Sequence, residues 1–507
     1  MQFNFSYKKV KKINIKQNGI QIVEDENKIE VYNDPFRTIP LFITRNKNEE
    51  LILFSNFEDY YTFENINKDI DEAGLWEIVL FGSGLWTRTL YKNVKQMPAA
   101  SKIIFDKKTN EYTIERYWDF NIEEDKSIDS IEKAAQGLYD KLDSIFSNLD
   151  RQQKYVMGMS GGLDSRITLA FLSKYIPKEN LELFTYGFDE RLLEYKYAFE
   201  IAEALGYNKP KFHKLTKDSY KKAMDYLPKM SGGQIGINHC HILDYLQDGD
   251  YKEYQQISTY FSDAIFGWDS VADKNIDTID NNPYIQSLEK YDFLSNALKS
   301  IISHDSKQIF NEFNSNSNYC SLGEYKYATE RNQKFHLYMA SIQNSFIENN
   351  LIYANYDLLL YSLSVPLKYR EQKKILDYLF DNHFKNISSR DFKNISSRDF
   401  KNISSRFQWG GKYSGIREFY WFKFLNRVNA VLRPLTKGYI QLFNKYQTEE
   451  QDRLLYKDFH KDLKNATDKF VKLGFMNKEQ KREWDKLPLR SSGVSERFGI
   501  ISLSKLI

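Results

Sequence analysis

The stretch Lys154-Tyr-Val-Met-Gly-Met-Ser-Gly-Gly-Leu-Asp-Ser-Arg166 constrains the fold more than any other part of the chain. Tyr155 to Met159 carries the aromatic and β-branched residues of a buried strand. From Arg166 onward, Ile167, Leu169, Ala170, Phe171 and Leu172 make the wide apolar face of a packed helix. Between them, Gly161 and Gly162 let the backbone turn sharply and approach a ligand closely. The amides of the turn and of the helix N-terminus then point at an anion, which is how folded chains hold phosphates. Ser160 and Ser165 add hydroxyl donors, and Asp164 supplies a hard oxygen of the kind Mg2+ prefers.

This loop lacks the spacing and the lysine of a Walker loop. It resembles the PP-loop of the N-type ATP pyrophosphatases, which cleave ATP between the α and β phosphates. Met159, just before the loop, and Tyr186 and Gly187, at the end of the next strand, complete the expected nucleotide-contacting set.

With 507 residues the chain is long enough for two or three domains. Lys plus Arg exceeds Asp plus Glu by only 3, so no strong field draws it to nucleic acid or a membrane surface. Cys240 and Cys320 are too few for a disulfide framework or a cysteine-built zinc site. His239 and His241 flank Cys240 but lack helical zinc spacing, and read as ordinary hydrogen-bonded histidines. Neither a signal peptide nor an apolar run of 18 residues is present, so a cytoplasmic enzyme is expected.

Residues 1–120 read as antiparallel β structure. Ile13 and Ile15 alternate with polar neighbours, Asn18-Gly19 signals a hairpin, and Ile20 and Ile22 resume the alternation. Leu51–Phe54 is a further strand, and Ile70–Leu80 reads as a short helix. From about 131, strands alternate with helices, which implies a parallel sheet with crossover helices. Its strands are expected at Tyr155–Met159, Leu181–Gly187, Phe212–Leu215 and Gln256–Tyr260, with a helix over Tyr195–Leu205. The rest is mostly helical. Phe-Lys-Asn-Ile-Ser-Ser-Arg recurs three times within 384–407, too short a period for a solenoid, and reads as a tandem-expanded surface loop.

Taken in order along the chain, these motifs resemble the asparagine synthetase family, which includes β-lactam synthetases and lasso-peptide cyclases. Residues 34–42 are similar to the family's Asp-Pro-x-Gly-x-Arg-Pro-Leu-Tyr stretch, and Ser160–Ser165 to its ATP loop. Ser258-Thr-Tyr260-Phe-Ser262-Asp263, then Gly267, is similar to its second Mg2+ motif, and Ser364-Val-Pro366-Leu367-Lys368 to a segment near its active site. The resemblance implies an α/β architecture in two parts. Residues 1–120 would be a degenerate glutaminase-like α+β domain of antiparallel strands. Residues 131–507 would be an ATP-pyrophosphatase domain with a parallel sheet and a helical C-terminal half.

The resemblance also implies a mechanism. Asp164 and Asp263 would ligate Mg2+ on the pyrophosphate of ATP. A bound carboxylate would attack the α-phosphorus to give an acyl-adenylate and PPi, and an amine would then displace AMP. Lys373 aligns with the family lysine that stabilises charge in both steps, and Glu348 with its catalytic glutamate. Tyr260 stands where β-lactam synthetases have a tyrosine paired with that glutamate.

The pattern breaks in informative places. Gln2 replaces the nucleophilic cysteine of glutamine-dependent members, so intrinsic glutaminase activity is not expected. Nitrogen would come from free ammonia, a partner glutaminase or an amine on the substrate. Phe261 occupies a position usually Gly, and Ala264 one where asparagine synthetases carry Glu. Asn355 replaces an expected Asp, and Asp377 an expected Arg. The expected activity is an ATP-dependent, AMP-forming amide ligase acting on a small or peptidic carboxylate, aspartate among them, with a homodimer possible. The alternatives are an intramolecular lactam or macrolactam cyclase and a non-catalytic ATP-binding scaffold.

Overall fold

The computed structural model describes residues 2–4, 7–120, 122–160, 162–188, 190, 193–267, 282–311, 325–383, 428, 455, 458–486 and 491–507. The 384–407 repeat, Cys320 and Gly161 lie outside the described residues.

Three sheets organise them. The first runs β1 (Gln2–Asn4), β6 (Leu51–Phe54), β5 (Phe42–Arg45), β7 (Lys95–Gln96). The second runs β2 (Lys8–Lys9), β3 (Gln21–Glu24), β4 (Lys28–Tyr32), β8 (Ser101–Asp106), β9 (Tyr112–Arg116). Period-two alternation packs one against the other: Ile22, Ile29, Val31, Ile103 and Phe105 meet Ile43, Leu51 and Leu53 in one apolar cluster. The opposite face of the first sheet is also covered. Phe42 and Phe54 stack at 5.4 Å and join Phe57 and Tyr60 in the large core shared with the rest of the chain. Burial on both faces explains why Leu51–Phe54 is apolar throughout rather than alternating.

Most pairs in these sheets are antiparallel, as the alternation predicts, but β1–β6 and β2–β3 are parallel. The hairpin expected at Asn18-Gly19 is therefore not formed. Its turn residues are held by distant partners: Gly19, at φ 95°, donates its N–H to Asp34 Oδ2 at 2.7 Å, and Asn18 Nδ2 donates to the Ala354 carbonyl. Ile13 and Ile15 lie outside the strands for the same reason. The helix expected over Ile70–Leu80 runs Glu72–Phe81, capped by Asp71, whose carboxylate accepts from the Gly74 N–H.

The third sheet is wholly parallel. Its order is β12 (Lys211–Lys214), β11 (Leu181–Gly187), β10 (Lys154–Gly158), β13 (Tyr254–Ile257), β14 (Glu348–Asn350). The order reverses beside β10, because β11 and β12 extend on one side of it and β13 and β14 on the other. Loops leaving the C-terminal ends of β10 and β13 thus flank a switch point, where open α/β sheets bind ligands. Helices Ile131–Ser147 and Leu163–Tyr175 pack near this sheet, and the last helix, Ser491–Leu503, buries Phe498, Ile500, Ile501 and Leu503 completely.

Candidate functional site

The loop after β10 closes on itself before the helix Leu163–Tyr175 begins. Ser165 Oγ donates to the Ser160 carbonyl at 2.8 Å, and Gly162 N–H donates to Ser160 Oγ at 3.2 Å. Met159 is buried and its N–H is taken by the Phe184 carbonyl of β11. Gly162 is the residue before the helix, with an ordinary φ of −74°, and no side chain caps the helix start. The amides of the first turn are thus left to an external acceptor, as a phosphate site requires. Sequence placed the helix from Arg166; it starts at Leu163, which puts Asp164 and Ser165 in its first turn. Tyr186 and Gly187 end β11 along the same sheet edge, where Tyr186 stacks on His241 at 4.7 Å.

The loop after β13 delivers Asp263 to the same place. It needs two left-handed residues, Phe261 at φ 74° and Gly267 at φ 90°. At Gly267 a Cβ would lie 2.1 Å from the Arg370 carbonyl oxygen, so only glycine permits the approach of segment 367–373. Phe261 keeps its unusual backbone under a packed ring, edge-on to Phe36 at 5.0 Å. The segment that follows Pro366 ends at Lys373, itself left-handed at φ 56°.

Lys373 unites the two loops. Its Nζ donates to Asp263 Oδ1 at 2.6 Å and to Asp164 Oδ1 at 3.2 Å. The three side chains retain 13%, 31% and 21% of their surface respectively, so they face an opening rather than a sealed core. Burial pushes the Asp164 carboxyl up, assisted by the Asp263 charge and opposed by Lys373. Burial also works on Asp263, but the Lys373 ammonium and the Tyr327 hydroxyl, which donates to Asp263 Oδ2 at 2.7 Å, hold it low. The ammonium is lifted above the usual lysine range because the two carboxylates outweigh its own burial. Its neighbour Lys374 is turned away, toward Glu371 and the Lys368 carbonyl.

Two expected catalytic residues fare differently. Tyr260 lies on the Asp263 loop, stacked on His336 at 5.5 Å, and its hydroxyl accepts from Gln343 Nε2 at 3.0 Å. Burial pushes its phenol up to about 12. Glu348 is not brought to the site. It begins β14, in register with Gln255 at the start of β13, so it stands at the opposite end of the strands from Asp263. There its exposed carboxylate accepts from Gln255 Nε2 at 3.0 Å. Alignment by motif order missed this because Glu348-Asn-Asn reads as a loop, while the chain uses it as an edge strand.

Sequence reasoning also missed the segment Tyr327–His336, wound as a π-helix, a rare form concentrated at functional sites. It presents Tyr327, Arg331 and Phe335 to a cavity of about 280 Å3 that also touches Tyr284 and Lys326. Arg331 lies over the Phe335 ring at 4.0 Å and makes no ion pair with a described carboxylate. Tyr327 connects this cavity to Asp263. Asn355, by contrast, caps the helix Tyr356–Ser364 by accepting from the Leu358 N–H, a structural task.

His239, Cys240 and His241 form no metal cluster: among the described residues the one grouping with ligand-like proximity is His213, Asp244 and Asp248. His213 there is already bonded to Asp244 at 2.8 Å.

An uncapped helix start and a lysine-bridged aspartate pair thus meet at the switch point of the parallel sheet of a mixed α/β fold. Residues 142–247, which hold the loop after β10 and the strands β10 to β12, match the family model described as asparagine synthase. Over these residues the chain is similar to the asparagine synthetase family. That family is one of ATP-dependent amide ligases. No curated protein matches the chain. Among the described residues, no helix is long and apolar enough to cross a membrane.

Proposed function

We propose that the chain activates a small carboxylic acid with ATP, releasing PPi, and passes the acyl group from AMP to ammonia or an amine. The observation that carries this reading is the Asp164–Lys373–Asp263 constellation beside an open helix N-terminus. ATP would place its phosphates on the amides around Ser160–Ser165. Asp164 and Asp263 offer hard carboxylate oxygens, both already bonded to Lys373 and keeping 21% and 31% of their side-chain surface open. They fit a Mg2+ bound chiefly through phosphate oxygens and water. Magnesium, when bound, supplies neutralising charge on the pyrophosphate.

Lys373 is the residue that supplies most of the protein's own catalysis in this account. Its ammonium is fixed between two anchored carboxylates, so it meets charge growing on the phosphate and the acyl oxygen without reorganising. The acid itself is assigned to the cavity beside Tyr327. Its size suits a small molecule better than a folded partner, and Arg331 offers a guanidinium with no ion pair among the described residues.

The lactam-forming alternative rests on a tyrosine–glutamate dyad. Tyr260 is bonded to Gln343 instead, and Glu348 is at the far end of the sheet, so this arrangement favours an external amine. Phosphorus NMR of the reaction products provides the test. AMP and PPi are expected, with a higher acid concentration needed by Arg331→Met; ADP and inorganic phosphate would contradict the reading.

A further inference from the structure

The seam between the N-terminal sheets and the helices behind them contains an arginine with no ion-pair partner among the described residues, its guanidinium over the Phe42 ring at 5.6 Å. Arg37 is 2% exposed and adopts φ 59°, in the left-handed region that favours glycine. Its turn is firmly held: Asp34 accepts from the N–H groups of Phe36 and Thr38 and from the Thr38 hydroxyl. One guanidinium nitrogen, Nη2, donates to Gln96 Oε1 at 3.2 Å. The other two, Nε and Nη1, are buried and find no acceptor among the described residues. Arg37 has no ion pair there either.

Arg37 lines a cavity of about 20 Å3 together with Arg116, Tyr325, Glu330 and Lys334. The other charges around this space are already matched. Lys334 Nζ is saturated by the Gly84 and Trp86 carbonyls and by Glu330 at 2.8 Å. Arg116 Nη1 donates to the Tyr325 hydroxyl at 2.6 Å and lies 3.5 Å from Asp119. One positive charge is left over. An arginine does not shed its proton to relieve burial, and a buried charge without a partner is costly. A water molecule could accept from one of these two nitrogens, and the space is large enough for one. It would leave the charge uncompensated.

We propose that this cavity is a halide site, in which one chloride-sized monovalent anion accepts from Arg37 and neutralises it. The anion clamps the turn 34–38 onto the helix carrying Glu330 and Lys334. It sits next to Phe36, whose ring packs on Phe261 of the Asp263 loop. The positive φ of Arg37 then has a reason: the turn that glycine would suit carries the anion's ligand instead.

Thermal unfolding in sodium chloride, sodium bromide and sodium gluconate at equal ionic strength tests this. Both halides are expected to raise Tm by about 2 degrees or more over gluconate when saturating. The difference should vanish in Arg37→Gly, whose backbone accepts the same φ. Bromide-soaked wild-type crystals should show an anomalous peak within hydrogen-bond reach of Arg37 Nε or Nη1, and that map decides alone if the glycine variant does not fold. Equal Tm in all three salts with no bromide peak would mean a cavity holding water only, and would overturn the proposal.

Discussion

At the scale of single residues, the backbone of Lys373 explains why its side chain is where it is. A lysine in the left-handed region costs about 1–2 kcal/mol relative to an ordinary conformation, and such strain persists where the surroundings over-determine it. Here the helix Lys374–Asn382 starts immediately after it, and two carboxylates hold its ammonium. Replacing it by methionine leaves Asp164 and Asp263 facing each other without their cation. Lys373→Met is expected to lower kcat by about 100-fold or more, while Glu348→Gln stays within about two-fold of wild type. Steady-state kinetics on the two variants checks both, and the reverse ranking would show that the glutamate, not the lysine, does the chemistry. Asp164 and Asp263 stand in spaced motifs of the sequence, whereas Lys373 was reached only by alignment with a family lysine; the structure brings the three side chains together. Glu348 was misplaced because a lone glutamate between apolar and amide residues carries no spacing that marks which end of a strand it occupies. Arg331 and Arg37 were illegible for a related reason, since what distinguishes them is the lack of an ion pair among the described residues.

Among the elements, the segment Ser258–Gly267 does the positioning. Gly267 lets the Arg370 carbonyl approach to a distance that no side chain allows, and Arg370 in turn is buried and donates to the Val365 carbonyl at 3.0 Å. Gly267→Ala would force these backbones apart and draw Lys373 away from Asp263. The expected outcome is a Tm several degrees lower, with most activity lost even where the protein remains folded; unchanged kinetics would show that the two segments need not touch. Strands with runs of apolar residues, such as Leu181–Gly187 and Leu51–Phe54, were readable at their observed bounds. The hairpin Ser101–Arg116 passed unnoticed, although Ile103 and Phe105 alternate as a half-buried strand should. The π-helix could not be read at all. Its pattern is that of any helix, and only its backbone hydrogen bonding sets it apart.

For the whole molecule, burial ties stability to pH through a group of histidines beside the site. Burial lowers His241 to about 4 and His336 to about 3, and holds His239 well below the ordinary value, with Arg331 adding to His239 and His336. The folded state therefore keeps them neutral, while the unfolded chain protonates them near pH 6.5. Protons bound by the unfolded state alone favour it, so this contribution is full above pH 6.5 and is lost as pH falls toward 4. Each histidine is expected to cost on the order of 1 kcal/mol by pH 5. Urea midpoints at pH 7.5 and 5 should show the loss, and His336→Asn should reduce it; a variant with the same pH slope as wild type would refute the assignment.

The central claim is that the paired loops at the sheet switch point adenylate a carboxylic acid. Carboxylate-dependent exchange of labelled pyrophosphate into ATP measures that step directly, with wild type and Asp164→Asn compared across a panel of acids that includes aspartate. The account predicts exchange that requires one acid and disappears in the variant. Exchange without any acid, or exchange that survives Asp164→Asn undiminished, would contradict it.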